Sequence, residues 1–143
     1  MLRKIKSGLP PKEAKYRGDK GEIEIVQILK LLGFKVRRPD WVAISPNGKI
    51  LLIEVKNKEP FEPPPDYLQG FSLSQYEKDL LITTPNTPVI YIPRGKNHEW
   101  IAQTIINLKP VPKPSVVRNI EPKAWFPISQ FEPLFKFLEK VRR

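Results

Sequence analysis

Asp40, Glu54 and Lys56 are the residues whose types and spacing could do chemistry. Glu54-Val55-Lys56 closes the apolar run Ile50-Leu51-Leu52-Ile53, and Pro39-Asp40 opens the segment on the other side of a Pro46-Asn47-Gly48 turn. Charged groups are seldom buried unless they are paired or coordinate a metal, so two carboxylates and an amine ending a greasy hairpin have no obvious packing role. Hard carboxylate oxygens suit a divalent cation, and an amine beside them can orient a water.

Whether Asp40 and Glu54 can share an ion depends on the turn. Ser45-Pro46-Asn47-Gly48 suits a type I turn closed by a left-handed glycine, the three-residue loop with a bulge. That loop sets Ser45 against Lys49, Ile44 against Ile50, Val42 against Leu52 and Asp40 against Glu54, with Lys56 further along the same face. A two-residue Asn47-Gly48 loop would slip the register and send Asp40 to the other face; Pro46 favours the longer loop.

A third carboxylate comes from the helix expected over Glu22 to Leu32, with Gly33 as C-cap. Ile25, Val26, Leu29 and Leu32 form its apolar stripe, with Glu22 on that side and Glu24 on the other. The helix alone equally allows Glu22 to be a capping partner of Asp19. This helix is also the expected cover for the Val42, Ile44, Ile50 and Leu52 face.

Together, Pro39-Asp40, Glu54-Val55-Lys56 and the upstream Glu22 helix resemble the PD-(D/E)xK, restriction-endonuclease-like nuclease superfamily over roughly residues 18 to 92. Glu22-Ile23-Glu24-Ile25-Val26, Leu29, Gly33-Phe34, Val36 and Arg38 resemble the first helix and strand of archaeal Holliday junction resolvases. The resemblance implies an α/β fold with an α-β-β-β-α-β core and a mixed sheet. It implies a metal-dependent deoxyribonuclease, structure-specific as the resolvases are, with Asp40, Glu54, Glu22 and the Val55 carbonyl at Mg²⁺, for which Mn²⁺ substitutes, and Lys56 at the water. It also puts Gln75, early in the next helix, near the site. Those resolvases usually carry a serine-bearing loop before the Pro-Asp motif, whereas here Arg38 runs straight into Pro39. An RNA-directed nuclease and a non-catalytic nucleic-acid-binding protein on the same scaffold are the alternatives.

The net charge of +10, from 25 Lys and Arg against 15 acids, points to a polyanion, nucleic acid foremost, and the resemblance implies that it is DNA, duplex or branched. Lys20, Arg37, Arg38 and Lys58 lie near the proposed site and suit backbone phosphates, contacts that carry affinity but no sequence information. The absence of cysteine excludes disulfide frameworks, thiolate zinc sites and cysteine nucleophiles, and one histidine, His98, cannot make a histidine metal site.

The length of 143 residues suits one domain that buries roughly two-thirds of its unfolded surface. A basic arm (1–17) precedes the core. No secretory signal or membrane span is read, which suggests a cytoplasmic, intracellular protein. The loop from Glu59 to Gly70 carries four prolines. A helix is expected over Ser72 to Leu81, then a strand over Val89 to Ile92, parallel to the Glu54 strand. A helical extension over about 98–143 follows, with one stripe of Trp100, Ile101, Thr104, Ile105 and Leu108. A stiff Pro110 to Pro114 linker leads to a last stripe of Phe131, Leu134, Phe135 and Leu138. That stripe packs on the core or, alternatively, on a second copy in a homodimer.

Overall fold

The computed structural model describes residues 11–37, 41–60, 67–113 and 122–143, with 11–16 described by backbone alone. Arg38, Pro39 and Asp40 lie outside the described residues, as do residues 1–10, most of the expected basic arm.

The elements in chain order are α1 (Pro11–Leu31), β1 (Lys35–Arg37), β2 (Val42–Ile44), β3 (Ile50–Lys56), β4 (Leu68–Ser72), α2 (Leu73–Ile82), β5 (Val89–Pro93), β6 (Ile101–Thr104), β7 (Lys123–Pro127), β8 (Glu132–Pro133) and α3 (Leu134–Arg142). A six-stranded sheet runs β1-β2-β3-β5-β6-β8, and β4 pairs with β7 in a separate two-stranded sheet. The large sheet is mixed: β3 and β5 are parallel, joined by a crossover through α2, and its other pairs are antiparallel.

The β2–β3 hairpin has the register its turn dictates. Val42 faces Leu52, Ala43 faces Leu51 and Ile44 faces Ile50. Gly48 takes φ +88, and the Gly48 amide donates to the Ser45 carbonyl at 2.8 Å while the Ser45 amide donates to Lys49 at 2.9 Å. This is the three-residue loop with its left-handed glycine.

Alternate residues of β3 serve two cores. Leu51 and Ile53 join Ala43, Ile90 and Ile92 under α1 and α3, against Ile25, Leu29, Leu134, Phe137 and Leu138. Leu52 turns the other way, toward Phe71, Tyr76, Val89, Tyr91 and Phe126. The first helix therefore covers the face opposite the expected one. The Glu54 face is covered by β4, α2 and β7, and only in part: Ile50 is 41 % exposed. At the other end of the strand Glu54 is itself exposed and Lys56 half-buried, so both are reachable from outside.

Helix α1 begins well before Glu22, so Asp19 is inside it and cannot be its N-cap, which removes the capping role for Glu22. Gly18 and Gly21 hid this extension, since a glycine inside a helix costs about 1 kcal/mol relative to alanine. Gly21 has a packing reason: a Cβ there would lie 2.5 Å from the Asn57 Cβ, so the helix can cross the end of β3 only where a side chain is missing. Gly21→Ala should destabilise the fold by about 1–3 kcal/mol through overpacking, read by urea unfolding. A neutral or stabilising effect would show that the helix does not need this close approach.

Two expectations along the C-terminal half change. The Trp100 to Leu108 stripe is β6 followed by a 3-10 turn at Ile105–Asn107, not a helix. The strand satisfies the open edge of β5, with Ile90 opposite Thr104 and Tyr91 opposite Gln103. The turn then rephases the chain, so Ile101, Ile105 and Leu108 are still buried. Residues 98–143 thus contribute strands and a single α-helix among the described residues, with Val111 bridging to Trp125 where a plain linker was expected. In α3 the buried set is Leu134, Phe137 and Leu138, while Phe135 is 58 % exposed. No described helix is long and apolar enough to cross a membrane.

Candidate metal and nucleic-acid site

Glu54 and Lys56 lie on one face at the C-terminal end of β3, where the parallel partner β5 sets Tyr91 opposite Glu54 and Pro93 opposite Lys56. Glu54 presents surface to solvent, but the protein crowding around it strips much of its water shell. That burial, then the negative charges of Asp79 and Glu22, pushes its carboxyl up to about 7 against the smaller pull of Lys56. Lys56 is pushed down to about 7, by burial first and then by Lys123, Lys58 and Arg17. Its Nζ stands 5.4 Å from the centre of the Phe71 ring of β4.

Glu22 acts on Glu54 from α1, which crosses beyond the strand end at Asn57. Asn57 Nδ2 donates to the Arg17 carbonyl of α1 at 2.9 Å, and its Oδ1 accepts from Arg94 Nε at 2.9 Å. Arg94 also pairs with Glu24 at 2.8 Å and stacks 3.7 Å from the Trp100 ring centre. Glu24, expected to face outward, is instead an anchor of the helix, and Trp100 Nε1 donates to it at 3.2 Å. The helix carrying Glu22 is thereby tied to the ends of both β3 and β5.

Asp79 is the site residue that sequence reasoning missed. It is buried on α2, accepting from Tyr91 Oη at 2.7 Å and from Gln75 Nε2 at 2.9 Å. Burial and Asp79 hold the Tyr91 hydroxyl protonated, far above the ordinary phenol range. Gln75 is thus linked to the site through Asp79. The available signal was weak: Gln75 and Asp79 stand four apart on one helix face. Leu81 of the same helix is 86 % exposed.

Asp40 lies outside the described residues. The hairpin ladder continues one step past β2, the Ile53 amide donating to the Trp41 carbonyl at 3.0 Å. Trp41 then takes φ 38, a left-handed conformation rare for a bulky residue and costing of order 1 kcal/mol or more. The extended strand expected to run on to Asp40 thus bends at Trp41.

Among the described residues no group of three or more Asp, Glu, His or Cys side chains is arranged to hold a metal ion. The donor chemistry nevertheless fits a hard divalent cation. Glu54 and Glu22 could supply carboxylate oxygens, whose charges repel one another, and Val55, next to Glu54 in β3, a backbone carbonyl. Of the expected phosphate contacts, Lys20 and Arg37 are exposed, Lys58 is half-buried beside Lys56, and Arg38 lies outside the described residues. His98 pairs with Glu59 at 2.5 Å on the surface and has no metal-ligating partner set.

The α-β-β-β-α-β core around a mixed sheet, with the charged residues at the end of its central hairpin, is a fold shared with a solved nuclease. The chain is similar to Hjc of Archaeoglobus fulgidus, a Holliday junction resolvase from an archaeal hyperthermophile, with a TM-score of 0.61 and 16% identity over 86% of this chain and 96% of that one. No protein-family profile matches the sequence. No curated protein matches it either.

Proposed function

We propose that this protein is a divalent-metal-dependent deoxyribonuclease of the PD-(D/E)xK type, acting on duplex or branched DNA. The observation that carries this reading is the meeting of Glu54 and Lys56 at the open end of β3, within the fields of Glu22, Asp79 and a basic cluster. The likeness to a Holliday junction resolvase supports branched DNA as the substrate to try first.

In this reading Glu54, Glu22, Asp40 and the Val55 carbonyl hold Mg²⁺ or Mn²⁺. The ion, when bound, neutralises phosphate charge and acidifies water. Lys56, with its proton poised near neutrality, orients the attacking water and exchanges a proton with it. Asp79, fixed by Tyr91 and Gln75, keeps negative charge behind Glu54 and so raises the attraction of the site for a cation. Lys20, Arg37, Arg38 and Lys58 draw in the phosphate backbone.

A second reading, a non-catalytic nucleic-acid-binding protein on the same scaffold, would use the basic residues alone. An RNA-directed nuclease would use the same residues. The deciding test is cleavage of linear duplex, single strand, flap, four-way junction and RNA with Mg²⁺, Mn²⁺ or EDTA. Metal-dependent cutting of DNA, greatest on a branched form, is the expected result. Binding without cutting under every condition would select the scaffold reading, and cutting of RNA alone the third.

A further inference from the structure

We propose that Arg17, Lys58 and Lys123 form a phosphate-binding subsite beside the Glu54 and Lys56 centre, holding a backbone phosphate next to the one that is cut. The subsite rests on the proposed function for its neighbour, but its own ligand is any phosphodiester polyanion.

The three cations come from distant parts of the chain: α1, the segment after β3, and the first residue of β7. Main-chain contacts bring the first two together. The Arg17 carbonyl accepts from Asn57 Nδ2 at 2.9 Å, so the Arg17 backbone is held against the residue that precedes Lys58. The Lys58 carbonyl accepts from Nε2 of the buried Gln69 at 2.6 Å, and the same nitrogen donates to the Arg94 carbonyl at 2.8 Å. Gln69 therefore pins the chain beyond β3 to the end of β5.

Lys123 stands opposite Ser72 in the small sheet. Its stem passes over Gly70, where a Cβ would come within 3.1 Å of Lys123 Cδ. Phe71, on the other face of the strand, has Lys56 Nζ over its ring. Gln69, next to Gly70, ties the same strand to the Lys58 carbonyl, so β4 brings Lys123 near the chain that leaves β3.

Among the described residues, none of the three makes an ion pair. They crowd one another instead: burial, then Lys123 and Arg17, lower the proton affinity of Lys58. Packing offers no reason to gather like charges at a half-buried place, whereas a phosphodiester relieves all three together. Arginine offers a planar fork to phosphate oxygens and lysines offer point charges. Lys123 was absent from the contact residues suggested by sequence because it opens its own strand 65 residues after Lys58, and only the β4–β7 pairing brings the two together.

The test is binding of a fluorescent DNA duplex across a salt titration in EDTA, where no cutting occurs, for wild type, Lys123→Gln, Lys58→Gln and Lys123→Arg. Lys49→Gln is the control, at the hairpin end of β3, about 17 Å along the strand from Glu54. Removing one phosphate contact should lower the slope of log affinity against log salt by about one, with Lys123→Arg keeping the wild-type slope. Slopes for Lys123→Gln and Lys58→Gln equal to that of Lys49→Gln, in protein with an unchanged melting temperature, would overturn the subsite. A lowered slope in a protein that cuts nothing would retain the subsite and discard the nuclease.

Discussion

Glu54→Ala and Lys56→Ala should each lower metal-dependent DNA cleavage by on the order of 10³-fold or more, while duplex affinity in EDTA stays within a few-fold of wild type. Removing a single preorganised charge-stabilising group commonly costs about 10²–10³ in rate, and here each residue also positions the other. The direction of any change in binding is informative. Glu54 carries negative charge toward the phosphate, so its removal should tighten binding slightly, whereas loss of Lys56 should weaken it by about one phosphate contact. The basic residues that hold the backbone, Arg17, Lys58 and Lys123, are untouched by either change. Measured on the substrate that wild type cuts best, full retained cleavage by either variant would remove Glu54 and Lys56 from the chemistry. Equal losses of cleavage and of affinity would instead assign them to binding alone.

The hairpin was legible in the sequence because Ser45-Pro46-Asn47-Gly48 specifies its geometry locally, and a turn type fixes a register. The same is true of α2, where Ser72, one of two serines able to cap it, accepts from the Gln75 amide, and of β5, whose apolar run between prolines admits little but a buried strand. What the sequence hid is what tertiary contacts decide. Gly21 reads as a helix breaker and is in fact the opening through which α1 meets Asn57. Ile101, Ile105 and Leu108 have helical spacing, yet a strand and a tight turn bury the same three residues. Which face of β3 lies under α1 could not follow from alternation, since both faces are apolar as far as Ile53. Asp79 and Lys123 reach the site by a crossover and by a second sheet, and no spacing along the chain announces either.

Addition of Mg²⁺ or Mn²⁺ without DNA should raise the melting temperature, by an amount that grows as pH rises through about 7. Glu54 binds its proton more tightly when folded than its ordinary value of 4.5 would allow, being raised to about 7. Its contribution to the stability of the metal-free protein is therefore fully present below about 4.5 and is lost as pH rises through 7. Lys56 has the opposite sign. Lowered from 10.5 to about 7, it contributes fully above 10.5, and that contribution is lost as pH falls toward 7. Near neutrality the metal-free site thus bears two unfavourable ionisations, and a cation relieves the one at Glu54 by replacing the proton. Below pH 7 metal and proton compete, so apparent metal affinity should fall about tenfold per pH unit. A metal at about 100 times its dissociation constant adds about 2.7 kcal/mol, or roughly 5–10 °C for a chain of this length. Glu54→Gln should abolish this shift and, without metal, should melt above wild type at pH 8, with the gap closing toward pH 4.5. Asp79→Asn should move the midpoint of the metal effect to lower pH, because Asp79 is the largest charge raising Glu54. A metal-induced shift that is independent of pH, or that survives in Glu54→Gln, would place the ion somewhere other than the end of β3.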